Sequence, residues 1–259
     1  MHLFNASSLF SQSATDEVKE LLNDENKLRA KLIEVKKALL HNYNFTAHCV
    51  PEDFTSTPYV IATNHLTDSD APLIMSFYYD IMKDYIPTYP QLFVFAKENC
   101  FNGVSIPREL LPILEIEKVL EVDRKSVGGS MAAMKAAGKW FKEGDIVKHF
   151  LIFAQGTIYD INKDCAEDIE QGAFWLARLL GIQVLPAFIE QAAEGESNRI
   201  IFAEPISVPK DCRDFAQIKE QWLRAVIGAQ DSLGEVTGTP ARVAELDAEH
   251  QVRKRNKVK

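Results

Sequence analysis

Short apolar runs alternate with stretches of helical periodicity along most of this 259-residue chain, and that alternation restricts the fold more than any other feature. The runs of strand length are Tyr59–Ala62, Leu92–Ala96, Lys118–Val122, Ile146–Ala154, Ile182–Ile189 and Ile200–Ala203. Helical patterns lie between and after them, at residues 72–82, 128–141, 170–180 and 215–232. Strands that alternate with helices come together as parallel neighbours under a helical layer. The sequence therefore predicts an α/β fold with a mixed, largely parallel sheet flanked by helices.

The pattern of apolar residues in the first part of the chain predicts a helical element that precedes the sheet. From Thr15 to about Leu40, apolar residues recur at helical spacing, with charges of both signs between them. That mixture favours an amphipathic helix that packs on protein over one that lies on a membrane. We expect a helical segment at residues 1–45, an α/β domain at 46–235 and a polar, basic tail at 236–259. Residues 42–58 hold two prolines and several Ser and Thr residues, which predicts an irregular connection.

Composition and charge exclude some classes of protein. Hydrophobic residues make up 46% of the chain, enough for one full core, and the net charge of −8 argues against a general nucleic-acid binder. The basic stretch from Arg253 to Lys259 runs against that negative charge and could touch anionic lipid headgroups or remain a solvated tail. The longest apolar stretch, Ala173–Ile189, is interrupted by polar residues and Pro186, so no transmembrane span is predicted.

The cysteines and the N-terminus indicate the compartment. Cys49, Cys100, Cys165 and Cys212 are widely spaced and form no C-x-x-C pair, which is typical of free thiols in a reducing compartment. The first residues lack the basic-then-apolar pattern of a signal peptide. We expect a cytoplasmic protein. The six histidines show no metal-ligand spacing, so neither a metal ion nor a permanently bound cofactor is expected.

The turn after the first predicted strand carries the clearest chemistry. His65 follows the apolar run, and Asp70 comes five residues later, at the start of the next apolar segment. A neutral imidazole can accept a proton from an attacking alcohol when a carboxylate fixes its tautomer and stabilises the imidazolium. Both side chains could instead cap or pack the turn, since the spacing is common by chance. Other motifs have to decide between the two.

Ser130 is a second candidate. It follows a predicted strand within Gly128-Gly129-Ser130-Met131-Ala132, which resembles the G-x-S-x-G elbow of serine hydrolases. Ala132 replaces the last glycine, and the histidines downstream, His149 and His250, give no convincing base. The serine hydrolase is the weaker interpretation.

Several short motifs, taken in order, are more informative than any one of them. They are Asn64-His65-x4-Asp70, Lys97-Glu98, Val122-Asp123-Arg124, Phe153-Ala154-Gln155-Gly156-Thr157, Gln171-Gly172-Ala173-Phe174 and Val184-Leu185-Pro186-Ala187. In this order and spacing the set resembles the glycerophospholipid acyltransferase family, of the lysophosphatidic-acid acyltransferase type. The resemblance covers roughly residues 58–210.

The resemblance implies the family's fold and transfer of an acyl group from a thioester, on coenzyme A or acyl carrier protein, to a hydroxyl of a lipid-like acceptor. By resemblance, His65 is the general base and Asp70 its orienting carboxylate. The substrate-binding residues implied in the same way are Asn64, Lys97, Arg124, Gln155, Gly156 and Thr157. Because lipid acceptors reside in bilayers, peripheral contact with the cytoplasmic face of a membrane is expected, and nucleic acid is not an expected partner.

The chain departs from the family pattern in one loop. The family reads Phe-Pro-Glu-Gly-Thr-Arg, whereas Gln155 and Ile158 stand here at the glutamate and arginine positions. Isoleucine cannot bind phosphate, which leaves Lys97 and Arg124 as the phosphate candidates. The acceptor could instead be a glycolipid such as lipid A or a specialised metabolite, and the donor could carry an aminoacyl group. A catalytically silent protein that keeps the fold is a further alternative.

Overall fold

The structure is a computed structural model that describes residues 45–65, 92–97, 119–122, 127–156, 161, 166–190 and 198–237. The strands are β1 (Phe45–His48), β2 (Tyr59–Thr63), β3 (Leu92–Lys97), β4 (Val119–Val122), β5 (His149–Phe153), β6 (Gln183–Glu190) and β7 (Asn198–Phe202). The helices are α1 (Val127–Phe141), α2 (Gly172–Leu180) and α3 (Ala216–Thr237). None of the helices described is long and apolar enough to cross a membrane.

The described strands form one seven-stranded sheet in the order β1-β7-β6-β2-β5-β3-β4. Strands β6, β2, β5, β3 and β4 are parallel to one another. Strand β7 runs antiparallel to β6, and β1 pairs with β7 in parallel. The mixed, largely parallel α/β sheet predicted from the sequence is confirmed. We call the edge where β2 to β6 end the carboxyl edge, and the edge where they begin the amino edge.

The two faces of the sheet bury different side chains. Along β2, Val60 and Ala62 pack with the described helices, in a cluster that includes Trp140 of α1, Phe174 of α2 and Trp222 of α3. Tyr59 and Ile61 point to the other face and pack with Phe54. Since successive strand residues alternate between faces, β2 is buried on both, as its unbroken apolar run predicts.

Trp222 links the closing helix to the strand that leads to His65. It is fully buried, and its indole N–H donates a hydrogen bond to the Ala62 carbonyl over 3.0 Å. A buried indole N–H needs such an acceptor, so the bond fixes the position of α3 against the end of β2.

Most element positions match the sequence prediction, with three corrections. The connection predicted to be irregular contains β1, whose pairing with β7 could not be recognised from its four residues, FTAH. The predicted strand at Ile146–Ala154 begins only at His149, and the closing helix continues to Thr237. The helices predicted at residues 15–40 and 72–82 lie outside the described residues, as does the tail beyond 237. The domain limits stay a prediction.

His149 is buried at the amino edge, far from the turn that holds His65. Its Nδ1 accepts a hydrogen bond of 3.2 Å from the Tyr59 backbone N–H, and its ring stacks on Phe54 at 4.5 Å. Burial lowers the pKa of His149 to about 3, although a hydrogen bond with the Phe54 backbone acts in the opposite direction. The imidazole is therefore neutral in the folded protein, and its role is structural.

This burial predicts a pH-dependent stability. The pKa of His149 is about 3 when folded, below its usual 6.5. The unfolded chain therefore binds more protons between these values, and stability is full above 6.5 and falls as the pH drops. One such group contributes a slope of about 1.4 kcal/mol per pH unit. The free energy of unfolding, measured in urea between about pH 4 and 5.5, should fall with this slope, and in His149→Gln the slope should be smaller by about 1.4 kcal/mol per pH unit. Equal slopes in the two proteins would contradict the prediction.

Candidate active site

The candidate site lies at the carboxyl edge, where β2 runs between β5 and β6. Thr63, the last residue of β2, is paired with Phe153 on one side and with Ala187 on the other. Parallel strands bring the turns that follow them to the same edge of a sheet, where open α/β sheets place their ligands. His65 and Gln155 are therefore neighbours although they are ninety positions apart in the chain.

His65 is held through both its backbone and its ring. Its backbone N–H donates a hydrogen bond of 2.7 Å to the side-chain oxygen Oε1 of Gln155. Its imidazole stacks on the Phe153 ring at 4.2 Å, with 24° between the ring planes. Stacking covers the face of the imidazole and does not use its nitrogens, whose hydrogen bonds lie in the ring plane. The half-buried ring is thus oriented in a way that is compatible with acid-base chemistry.

The loop after β5 is a tight turn that buries Gln155. The Ala154 N–H continues the pairing of the strands by donating to the Thr63 carbonyl, and the Gly156 N–H closes the turn on the Phe153 carbonyl over 2.9 Å. Gly156 has a φ of 70°, which strains a residue with a side chain. The turn leaves Gln155 only 6% exposed, with its carbonyl oxygen directed at His65.

Asn64 ties the end of β2 to β6. Its amide nitrogen donates to the Ile189 carbonyl over 3.0 Å, and its amide oxygen accepts from the Ile189 N–H over 2.7 Å. The side chain is fully buried, so these bonds satisfy groups that would otherwise be costly to bury, by about 1–3 kcal/mol each. Asn64 therefore fixes the strand from which His65 emerges.

The other predicted site residues are described less completely. Lys97 is the last residue of β3, which ends at the same edge, but its side chain lies outside the described part. Asp70, Arg124 and Thr157 also lie outside the described residues. The structure thus brings together His65, Asn64, Gln155 and Gly156. Within the described ranges, no group of three or more His, Cys, Asp and Glu side chains could hold a metal ion.

Ser130 lies in a different setting from a hydrolase nucleophile. A nucleophile elbow holds its serine in a strained strand-to-helix turn. Here α1 begins at Val127, so Ser130 is already helical, and Cys49 is the one non-glycine residue with positive φ in the part of the chain described. His149, a possible base for Ser130, is buried at the amino edge. This geometry does not support the serine hydrolase alternative.

The sequence did not reveal two contacts of His65, the stacking on Phe153 and the bond to Gln155. The motif around Gln155 marked that loop as part of the site, but as a binding element for substrate. The contact follows from the pairing of β2 with β5. Because the order of strands cannot be read from one sequence, no sequence signal could have shown it.

Comparisons with known proteins give a match in structure. No protein-family model matches the chain, and no curated protein matches it. The chain is similar to the crystal structure of the 1-acyl-sn-glycerophosphate (LPA) acyltransferase PlsC from Thermotoga maritima, with a TM-score of 0.55 and 16% sequence identity. The match covers 86% of this chain and 88% of that chain. The fold that the sequence motifs implied is therefore confirmed.

The contact between Gln155 and His65 can be tested without an activity assay. Gln155→Leu removes the acceptor, so the His65 N–H should exchange with deuterium at least about tenfold faster, which corresponds to loss of roughly 1.4 kcal/mol of protection. Gln155→Glu keeps an oxygen at this position and should retain most of the protection. Amide exchange measured by NMR distinguishes the two. Equal protection in the wild type and Gln155→Leu would show that the bond does not hold His65.

Proposed function

We propose that the protein is an acyltransferase that moves an acyl group from a thioester, carried by coenzyme A or acyl carrier protein, to a hydroxyl of a lipid-like acceptor. In this proposal His65 is the general base and Asp70 orients it. The observation that carries the proposal is the position of His65, at the end of a central strand of an acyltransferase-like fold, with its backbone bonded to Gln155.

The chemistry fits a single base. The imidazole accepts the proton of the acceptor hydroxyl as its oxygen attacks the thioester carbonyl. The tetrahedral intermediate then collapses, the C–S bond breaks, and the imidazolium returns the proton to the leaving thiolate, giving an ester and a free thiol. A positioned base contributes roughly 10²–10⁴-fold to such a reaction, because an alcohol is a poor nucleophile. Asp70 would stabilise the imidazolium between these two steps.

The tetrahedral oxyanion requires hydrogen-bond donors, each of which contributes on the order of 3 kcal/mol. Two backbone N–H groups near His65 are already used. The His65 N–H donates to Gln155, and the Gly156 N–H donates to the Phe153 carbonyl. The proposal therefore assigns the oxyanion to other donors of the site.

The structure bears on how the acceptor is recognised. The side-chain oxygen of Gln155 is directed at the His65 backbone, and Gln155 is almost fully buried, so we propose that it positions the base. Ile158 stands where the family's loop has its arginine. Recognition of an acceptor phosphate would then fall to Lys97 and Arg124. Acceptors without a phosphate at this position, such as a glycolipid or a specialised metabolite, are alternatives, as is an aminoacyl donor.

The decisive test is thiol release from acyl-coenzyme A and from acyl-carrier-protein thioesters in the presence of membrane lipid extracts. His65→Ala should lower acceptor-dependent release at least about 100-fold, with the circular dichroism spectrum unchanged, because the alcohol then lacks its base. Asp70→Asn should lower it as well. Ser130→Ala is the matched control and should retain full activity. Release that His65→Ala leaves unchanged, or labelling of Ser130 by a fluorophosphonate, would refute the assignment.

Peripheral membrane binding is a separate proposal, supported by the basic stretch from Arg253 to Lys259. Each cation near an anionic surface contributes about 1 kcal/mol at low salt. Deleting residues 253–259 should therefore weaken sedimentation with phosphatidylglycerol vesicles at low ionic strength, while deletion should matter little with phosphatidylcholine vesicles. Equal sedimentation of the full chain and the truncated protein with anionic vesicles would exclude the tail as the membrane contact.

A further inference from the structure

A second candidate site lies at the amino edge of the sheet, whereas His65 lies at the carboxyl edge. It is an open cleft of about 660 Å³ between the end of α2 and the segment that precedes α3. Strand β6, with eight residues, separates the two edges by roughly 25 Å at 3.3 Å per residue. We call it the amino-edge cleft and define it by Arg178, Gly181, Lys210, Asp211 and Arg213. It shares no residue with the proposed active site.

The wall of the cleft is held in place by the sheet. The Ile206 and Val184 backbones exchange hydrogen bonds of 2.9 and 2.7 Å, and the Gln183 side chain donates to the Ser207 hydroxyl over 3.0 Å. Gly181 ends α2 in the left-handed conformation, with a φ of 70°. Because a Cβ at Gly181 would lie 3.9 Å from Lys210 Cε, the lysine stem already lies close to the helix end.

Arg178 is oriented before any ligand arrives. Its guanidinium donates to the Cys212 carbonyl and lies 5.7 Å from the Trp175 ring and 5.3 Å from the Phe215 ring. Guanidinium has five N–H donors in a planar fork, and this bond uses only part of them. No carboxylate among the described residues forms a salt bridge with Arg178. The position of its charge is therefore fixed, and no described carboxylate is bonded to it.

Two further cations add to this charge. Lys210 and Arg213 are exposed, and neither forms a salt bridge with a residue that the structure describes. Asp211 is the single acid of the lining, so three cations against one carboxylate leave a local charge of about +2. The C-terminus of α2, whose last turn holds Arg178, contributes roughly −0.5, which leaves about +1.5. The cleft is thus positive in a chain whose net charge is −8.

We infer that the amino-edge cleft binds a phosphate-bearing anion. A fixed guanidinium fork next to two flexible cations matches the geometry and charge of phosphate oxygens. The volume lies within the range of small-molecule sites, which is about 300–1,000 Å³. A soluble phosphate compound suits the cleft better than a lipid headgroup, because a lipid acceptor would bring the bilayer to the carboxyl edge. This last step rests on the proposed function.

Inorganic pyrophosphate is a suitable probe for the full-length protein. We expect saturable binding by calorimetry, together with a rise in Tm that grows with the probe concentration. Lys210→Gln combined with Arg213→Gln should weaken binding at least tenfold. Lys139→Gln combined with Lys142→Gln is the matched control, since it removes two exposed lysines near the end of α1 and should bind as the wild type does. His65→Ala should also bind normally, which separates this test from that of the proposed function.

Three outcomes would overturn the inference. The first is absence of saturable pyrophosphate binding at millimolar concentration. The second is equal weakening by the cleft variant and the lysine control, which would indicate a general charge effect. The third is binding to phosphatidylglycerol vesicles that the cleft variant abolishes while pyrophosphate binding is unchanged. That result would assign the surface, which includes the exposed Leu179, to a membrane.

Discussion

The hydrogen bond between the His65 backbone and the Gln155 side chain joins two turns on which the candidate site depends. The bond requires β2 and β5 to be neighbours in the observed register. It also requires the turn after β5 to be closed by the Gly156 N–H on the Phe153 carbonyl, which leaves Gln155 buried. Each of these conditions is a property of the sheet. If β2 slipped by one residue against β5, every side chain of β2 would point to the other face of the sheet and the contact would be lost.

An amide suits this buried position better than a carboxylate would in one respect. Gln155 offers a carbonyl acceptor to the His65 N–H without the desolvation cost of a buried charge. Compared with a glutamate at this position, Gln155 keeps the acceptor and removes a negative charge next to His65. The contact favours a role for Gln155 in placing His65 over one in contacting substrate.

The strand that carries His65 is fixed from three directions. Asn64 bonds the backbone of β6, the Ala154 N–H bonds Thr63 from the β5 side, and Trp222 of α3 bonds the Ala62 carbonyl from the helical face. Under the proposed function this rigid placement matters, because small displacements of a base from its acceptor are costly in rate. The amino-edge cleft is built on the other end of the same framework, through β6 and the end of α2.

The sequence by itself determined most of the strands and helices that the structure describes, because unbroken apolar runs and helical periodicity reflect burial directly. It also determined His65 as the candidate base, through an ordered set of motifs. It missed β1, since the four residues FTAH carry little periodicity and their pairing with β7 joins distant parts of the chain. Only the tertiary structure decided the strand order, the bond from His65 to Gln155 and the grouping of Arg178, Lys210 and Arg213. The physical reason is that these contacts form between residues far apart in the chain, and local patterns do not record such pairings.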